Sequence, residues 1–286
     1  MGRPPTTQDF LPILPSHPAY RPPPNSPPPT TCEPWITLIP PPSPPIRAIL
    51  ILLHGLGDTE RPFAHVARNL SLPGVFCISL RGVSRLPSFL LPPGPADPSG
   101  QGGPEGFHWG DDLKFSAKGL DDDPGFAKAR EWIVEKVIGQ VLVGECKFEW
   151  GEVMMFGFGQ GGSVALGVAR GLEVSARVVD VTEGEKKDVN KRRTLKGVVS
   201  IGGALPPSMV PSVSARLKAK VPVLVCCGRQ SQAVDEDAVD TLEEEFEKVK
   251  VVRWNKPDDG MPQNRDEMLP VMEWFADRLR GPSPWV

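Results

Sequence analysis

The sequence has no apolar run near the ~20 residues a membrane-spanning helix needs, and Ala48–Leu53 is typical of its longest. Nor does the stretch 1–45 contain the apolar block of a signal peptide. Neither sign of charge is in excess. Lys plus Arg number 32 and Asp plus Glu 35, a net charge of −3, which gives no electrostatic case for nucleic acid or an anionic membrane as partner. Cysteine is sparse: Cys32, Cys77, Cys146, Cys226 and Cys227 make an odd number in no metal-ligating spacing. Cys77, Cys226 and Cys227 fall inside apolar, strand-like runs and read as reduced core thiols. No metal or cofactor is expected, and the expected location is the cytoplasm. Histidine is scarce too, and His17, His54, His65 and His108 are all of it, so none follows position 108.

What the chain has in quantity is proline, 35 in all, of which 17 precede Ile46. Pro-Pro-Pro at 22–24 and 27–29 favours extended polyproline II with no backbone donors to share. Residues 1–34 are therefore expected to be a disordered or extended leader that forms no core. It serves as a spacer, with docking to a Pro-rich-motif-binding protein as the alternative. Its start, Met1-Gly2-Arg3-Pro4-Pro5-Thr6, formally fits an N-myristoylation pattern, although two prolines sit inside it. The remaining 35–281 are expected to form one domain, large enough to bury a core.

From Trp35 onward short apolar runs alternate with longer amphipathic ones, the pattern of an α/β fold with a mostly parallel central sheet flanked by helices. Strands are predicted at Trp35–Ile39, Ala48–His54, Val75–Leu80, Val153–Phe158, Gly197–Ile201, Val221–Cys227 and Lys250–Trp254. Helices are predicted at Glu60–Leu70, Pro124–Leu142, Gly161–Arg170, Asp235–Val249 and Arg265–Arg280. Asp123 is expected to cap the second of these, with Pro124 as its first helical residue. Ser84–Asp112 is rich in Pro and Gly and reads as a lid loop over a site. Glu183–Arg193 is dense in mixed charge and reads as a solvated excursion.

Met154-Met155-Phe156-Gly157-Phe158-Gly159-Gln160-Gly161-Gly162 is an apolar strand entering a glycine-crowded turn and then a helix. That is the setting of a nucleophile elbow, in which small residues flank the nucleophile because strand and helix backbones nearly touch. Gly157 and Gly161 fill the flanking places, and Gly159 stands where a serine is expected. Together with Leu53-His54-Gly55-Leu56-Gly57-Asp58 and Val221-Pro222-Val223-Leu224, this stretch resembles the phospholipase/carboxylesterase family of α/β-hydrolases, which includes the acyl-protein thioesterases. The similarity runs over about Trp35–Leu279. Phe107-His108-Trp109-Gly110-Asp111-Asp112 and Asp259-Gly260-Met261-Pro262 make it look like a fungal branch in which the nucleophile serine is replaced by glycine.

The resemblance implies a Ser-Asp-His triad, and its positions can be inspected here. The serine position is Gly159. The acid position, in Gly228-Arg229-Gln230-Ser231, holds Ser231. The histidine is expected within Asn255–Asn264, where none occurs. Independently of alignment, every histidine precedes Gly159, whereas this fold places its base after the nucleophile. Asp235 and Asp237 read as helix capping. Ser163 should pack beneath the elbow, and Ser200 and Ser231 have no evident base. The resemblance also puts two oxyanion donors on the backbone N–H groups of Leu56 and Gln160, with His54 and Gly55 holding the first of these loops. His108 and Trp109 are expected to face the pocket from the lid. Asp111 or Asp112 could orient His108, though packing of the lid is the simpler role.

The expected function is thus that of a hydrolase-fold protein binding a small anionic or acylated ligand without turning it over. The alternatives are a weak carboxylic ester or thioester hydrolase with a rearranged site, and an interaction protein acting through its Pro-rich leader.

Overall fold

The computed structural model describes residues 2–10, 36–91, 105–116, 119–178, 193–211 and 217–280. The polyproline tracts, the charged stretch 183–192 and the middle of the lid at 92–104 lie outside them. Along the chain run α1 (Thr7–Phe10), β1 (Ile36–Ile39), β2 (Ala48–Leu53), α2 (Glu60–Leu70), β3 (Val75–Leu80), and the short strands β4 (Ser84–Arg85), β5 (Phe107–His108), β6 (Phe115–Ser116) and β7 (Gly119–Leu120). Then come α3, which begins at Ala127–Glu131 and continues through Trp132–Glu145 in wider i→i+5 turns, β8 (Val153–Phe158), α4 (Gln160–Val178) and β9 (Gly197–Ile201). The chain closes with β10 (Val223–Gly228), α5 (Glu236–Glu245), β11 (Val249–Trp254) and α6 (Arg265–Leu279).

Seven strands form one sheet in the order β1-β3-β2-β8-β9-β10-β11, parallel throughout except for β1, which runs antiparallel to β3. This is an α/β-hydrolase architecture. The central strands are apolar at every position because both faces are covered. Alternation along β2 sends Ile49, Ile51 and Leu53 to one core, shared with Val137 of α3 and Val164 of α4. Ala48, Leu50 and Leu52 go to the other, shared with Phe63 of α2 and Val271 of α6. Cys77, Cys146, Cys226 and Cys227 are free and buried, and burial pushes the Cys77 and Cys226 thiols up to about 12. Among the described residues no helix is long and apolar enough to cross a membrane.

Two expectations need correction. The leader does contribute to the core at its start. Phe10 is 1% exposed and belongs to the cluster on the α3 face. Asp9 ties the segment together, accepting from the Arg3 guanidinium and from the Thr6 N–H and hydroxyl. Phe10, beside Leu11, Ile13 and Leu14 in a run broken by proline, is docked by a contact more than a hundred residues away in sequence, and so short an apolar stretch leaves no periodic signal.

The start of α3 also differs. Asp123 and Pro124 do not open it; the first helical residue is Ala127. The carboxylate that caps it is that of Asp111, which accepts from the N–H groups of Ala127 (2.9 Å) and Lys128 (2.8 Å). Asp123 instead accepts from the backbone N–H of Ser208 at 2.7 Å and from its hydroxyl. Smaller differences concern ends: α4 runs on past Arg170 to Val178, and α5 stops at Glu245 because Phe246 bridges to Ala219.

Candidate ligand site

The site lies at the C-terminal ends of β2, β8, β9 and β10, where a parallel sheet opens a crevice. At the end of β8 the chain turns at Gly159, whose φ is +51°. A Cβ at Gly157 would stand 2.3 Å from the Gly161 carbonyl oxygen, so strand and helix can approach only with glycine there. A Cβ at Gly159, by contrast, would meet nothing within 4 Å. That position faces open space, and its left-handed backbone costs glycine little and other residues ~1–2 kcal/mol. Gln160 is the first residue of α4, so its N–H lacks an intrahelical partner and lies at the positive end of the helix dipole.

The loop after β2 faces this helix start. His54 holds it from behind: fully buried, its Nδ1 donates to the Gly55 carbonyl at 2.7 Å and its Nε2 accepts from the Gly82 N–H at 2.8 Å. With both nitrogens committed and burial lowering its pKa, the ring is neutral and structural. Two backbone bonds, Gly57 N–H to Phe107 O (2.9 Å) and Phe107 N–H to Asp58 O (3.0 Å), lace the loop to β5. Arg81 reinforces the junction, pairing with buried Glu60 at the start of α2 while its guanidinium lies 4.8 Å from the centre of the Phe107 ring.

Trp109 is likewise interior rather than pocket-facing. Its indole N–H donates to the His54 carbonyl (2.8 Å), and its backbone N–H donates to the Gln160 side-chain carbonyl (2.7 Å). Gln160 therefore does two things, presenting its own N–H while its side chain clamps the lid strand. Asp111, spent on capping α3, does not orient His108.

His108 itself is 3% exposed, and among the described residues its Nδ1 has no hydrogen-bond partner. Burial first, then Lys128, lower its pKa to about 4, with Asp112 opposing. It lines a narrow cleft with Leu56, Asp112, Lys114, Asp121 and Gln160, among others, which leaves room for about one water. Leu56, 43% exposed, is the apolar lip.

On the far side of Gly159 the geometry supplies a residue that sequence reading passed over. Ser231 donates to Asp259 Oδ2 at 2.6 Å, and the Gly228 N–H donates to Asp259 Oδ1 at 2.8 Å. The acid turn thus grips a carboxylate after all, carried by the loop after β11 instead of the loop after β10. The signal was Asp259-Gly260-Met261-Pro262, noted for its family likeness and not for chemistry. Ser200 is buried and donates to the Gly203 carbonyl (2.7 Å), and Ser163 lies beneath the elbow, 3.5 Å from the Gly159 carbonyl. Asp235 caps α5 through the Ala238 N–H, as its position foretold. Among the described residues no group of His, Cys, Asp and Glu is placed to hold a metal ion.

Known proteins are similar to this chain. Residues 36–179 match the family described as Phospholipase/Carboxylesterase. An uncharacterized hydrolase of Schizosaccharomyces pombe is 30% identical over 237 residues, 82% of this chain and 84% of that one. One from Mycosarcoma maydis is 31% identical over 132 residues, 42% and 40% of the two chains. Among solved structures, Zea mays acyl-protein thioesterase 2 superposes with a TM-score of 0.56 at 20% identity, covering 86% of this chain and 99% of that one. Esterase PE8 gives 0.57 at 17% identity, covering 85% and 98%. At such identities the structures speak for the fold, and the family match with the fungal relative speaks for descent: this chain belongs to the phospholipase/carboxylesterase family of α/β-hydrolases.

Proposed function

We propose that the chain is a non-catalytic member of its family, with a degenerate triad, that holds a small anionic or acylated ligand at the mouth of the elbow. The observation that carries this reading is Gly159: the turn is formed and the space above it is open, but no atom stands there to attack a carbonyl. The base is missing as well, since the two imidazoles nearest the site are committed to structure (His54) or weakly basic through burial (His108). The backbone donors of Leu56 and Gln160 need no particular side chain, so they survive the loss of the triad and favour an oxygen of the ligand. Reduced core cysteines fit a cytoplasmic location.

The competing reading is a weak ester or thioester hydrolase in which His108 activates water. A fluorophosphonate serine-hydrolase probe and p-nitrophenyl octanoate turnover separate the two. We expect no labelling, and turnover no more than the ~10³–10⁴-fold over water that binding and donors alone supply. Gly159→Ser should produce no acylation burst, for want of a base. Labelling at Ser163, Ser200 or Ser231, or loss of turnover in His108→Ala, would decide for chemistry.

A further inference from the structure

We infer that the chain carries a second ligand site, for the phosphate group of a small soluble organic phosphate, in a groove at the end of the sheet opposite the elbow. The groove lies where β10 and β11 begin and α6 ends, and Pro222, Val223, Val249, Trp274 and Ala276 form its apolar wall. Its volume, about 430 Å³, is that of a small-molecule site. Its charged residues are Lys248, Lys250, Arg278 and Arg280 against Glu273 and Asp277, a surplus of two positive charges on a chain whose net charge is −3. Elsewhere the fold matches its partly buried cations to carboxylates, as in Arg81–Glu60, Arg170–Glu245 and Lys256–Glu267. Here it does not. Among the described residues Arg280 pairs with Asp277 at 3.4 Å, whereas Lys248, Lys250 and Arg278 pair with no carboxylate. Arg278 lies along the wall, its guanidinium carbon 5.8 Å from the centre of the Trp274 ring, and its Nε is buried with no hydrogen-bond partner among the described residues. A guanidinium fork without a carboxylate, flanked by two ammonium groups, suits the oxygens of a phosphate monoester, whose charge of about −1.5 to −2 at neutral pH meets the surplus. Each pair of cations has an ordinary explanation by itself: Arg278 and Arg280 complement the dipole at the C-terminal end of α6, and Lys248 and Lys250 guard the sheet edge at β11. Neither accounts for their convergence on one concavity. Among the described residues the large apolar side chains exposed to solvent are Leu56, Phe89, Leu217 and Leu269, and none lines the groove. The groove thus has nothing to insert into a bilayer, and the phosphate belongs to a soluble molecule.

Isothermal titration of the full-length chain with phenyl phosphate tests this independently of the ligand site at the elbow. Binding should be one to one with a Kd below about 1 mM, and should weaken as sodium chloride is added. Lys248→Ala combined with Lys250→Ala should lower the affinity about tenfold, and Arg278→Gln by a similar factor. Both lysines are exposed, so the lysine variant carries the comparison if Arg278→Gln does not fold. No binding at about 10 mM phenyl phosphate, or an affinity unchanged in either variant that folds, would overturn the inference and leave binding at the elbow standing. Sedimentation with phosphatidylcholine vesicles containing phosphatidic acid should recover no protein. Recovery that the lysine variant abolishes would assign the phosphate to a lipid headgroup and overturn the soluble ligand.

Discussion

Burial keeps the His108 imidazole at a pKa of about 4, well below the 6.5 of an exposed ring. Between these values the unfolded chain binds the proton and the folded chain does not. Folding stability is therefore complete above pH 6.5 and falls as the pH drops toward 4, by roughly 2–3 kcal/mol from this group. His54, shifted in the same direction, adds to the loss. Urea denaturation at pH 7 and at pH 4.5 should show the wild type losing stability at the lower value, and His108→Phe losing less. A wild-type midpoint unchanged between the two conditions would contradict the buried, neutral ring. At this scale the sequence was informative about what is absent: a glycine at 159 and no histidine after 108 are readable letter by letter. It was silent on which ring nitrogens are satisfied, because Gly82 reaches His54 only through the fold.

At the scale of elements, β8, the turn at Gly159 and α4 follow from local chemistry: apolar β-branched and sulfur-containing residues for a buried strand, glycines where backbones touch, then alanine, valine and leucine for the helix. The start of α3 shows where local chemistry loses. Asp-Pro is a sound capping signal, yet Asp123 finds Ser208 and the cap comes from Asp111. Asp111→Ala should cost ~1–2 kcal/mol, with loss of helical ellipticity on mild heating, whereas Asp123→Ala should cost less. Because Asp111 adjoins Asp112 at the cleft, the variant should also loosen the lid strand, read as faster hydrogen exchange at His108 and Trp109. Equal melting of the two variants would contradict the assignment of the cap.

Across the whole molecule, one seven-stranded sheet with a core on each face sets the distances on which the site depends. Phe10 shows that the body extends to the first residues of the chain. Phe10→Ala should destabilise the protein by ~3–4 kcal/mol in denaturant titration, as for a large aromatic removed from a packed core, with the Arg3–Asp9 pair released from its dock. The Arg3 guanidinium holds the Asp9 carboxyl down to about 2, so the pair persists throughout the neutral range. A cost below about 1 kcal/mol would mean that the leader does not pack on α3.

The sequence by itself determined the α/β alternation, the elbow with its vacant position and the order of the few histidines, since each depends on neighbouring residues or on simple presence. Only the tertiary structure decided that Asp259 fills the acid turn, that Asp111 caps α3 and that Phe10 belongs to the core. These are contacts between segments far apart in the chain, chosen by which carboxylate or ring the sheet brings within a few ångströms. Nothing in the local spacing of residues encodes that choice.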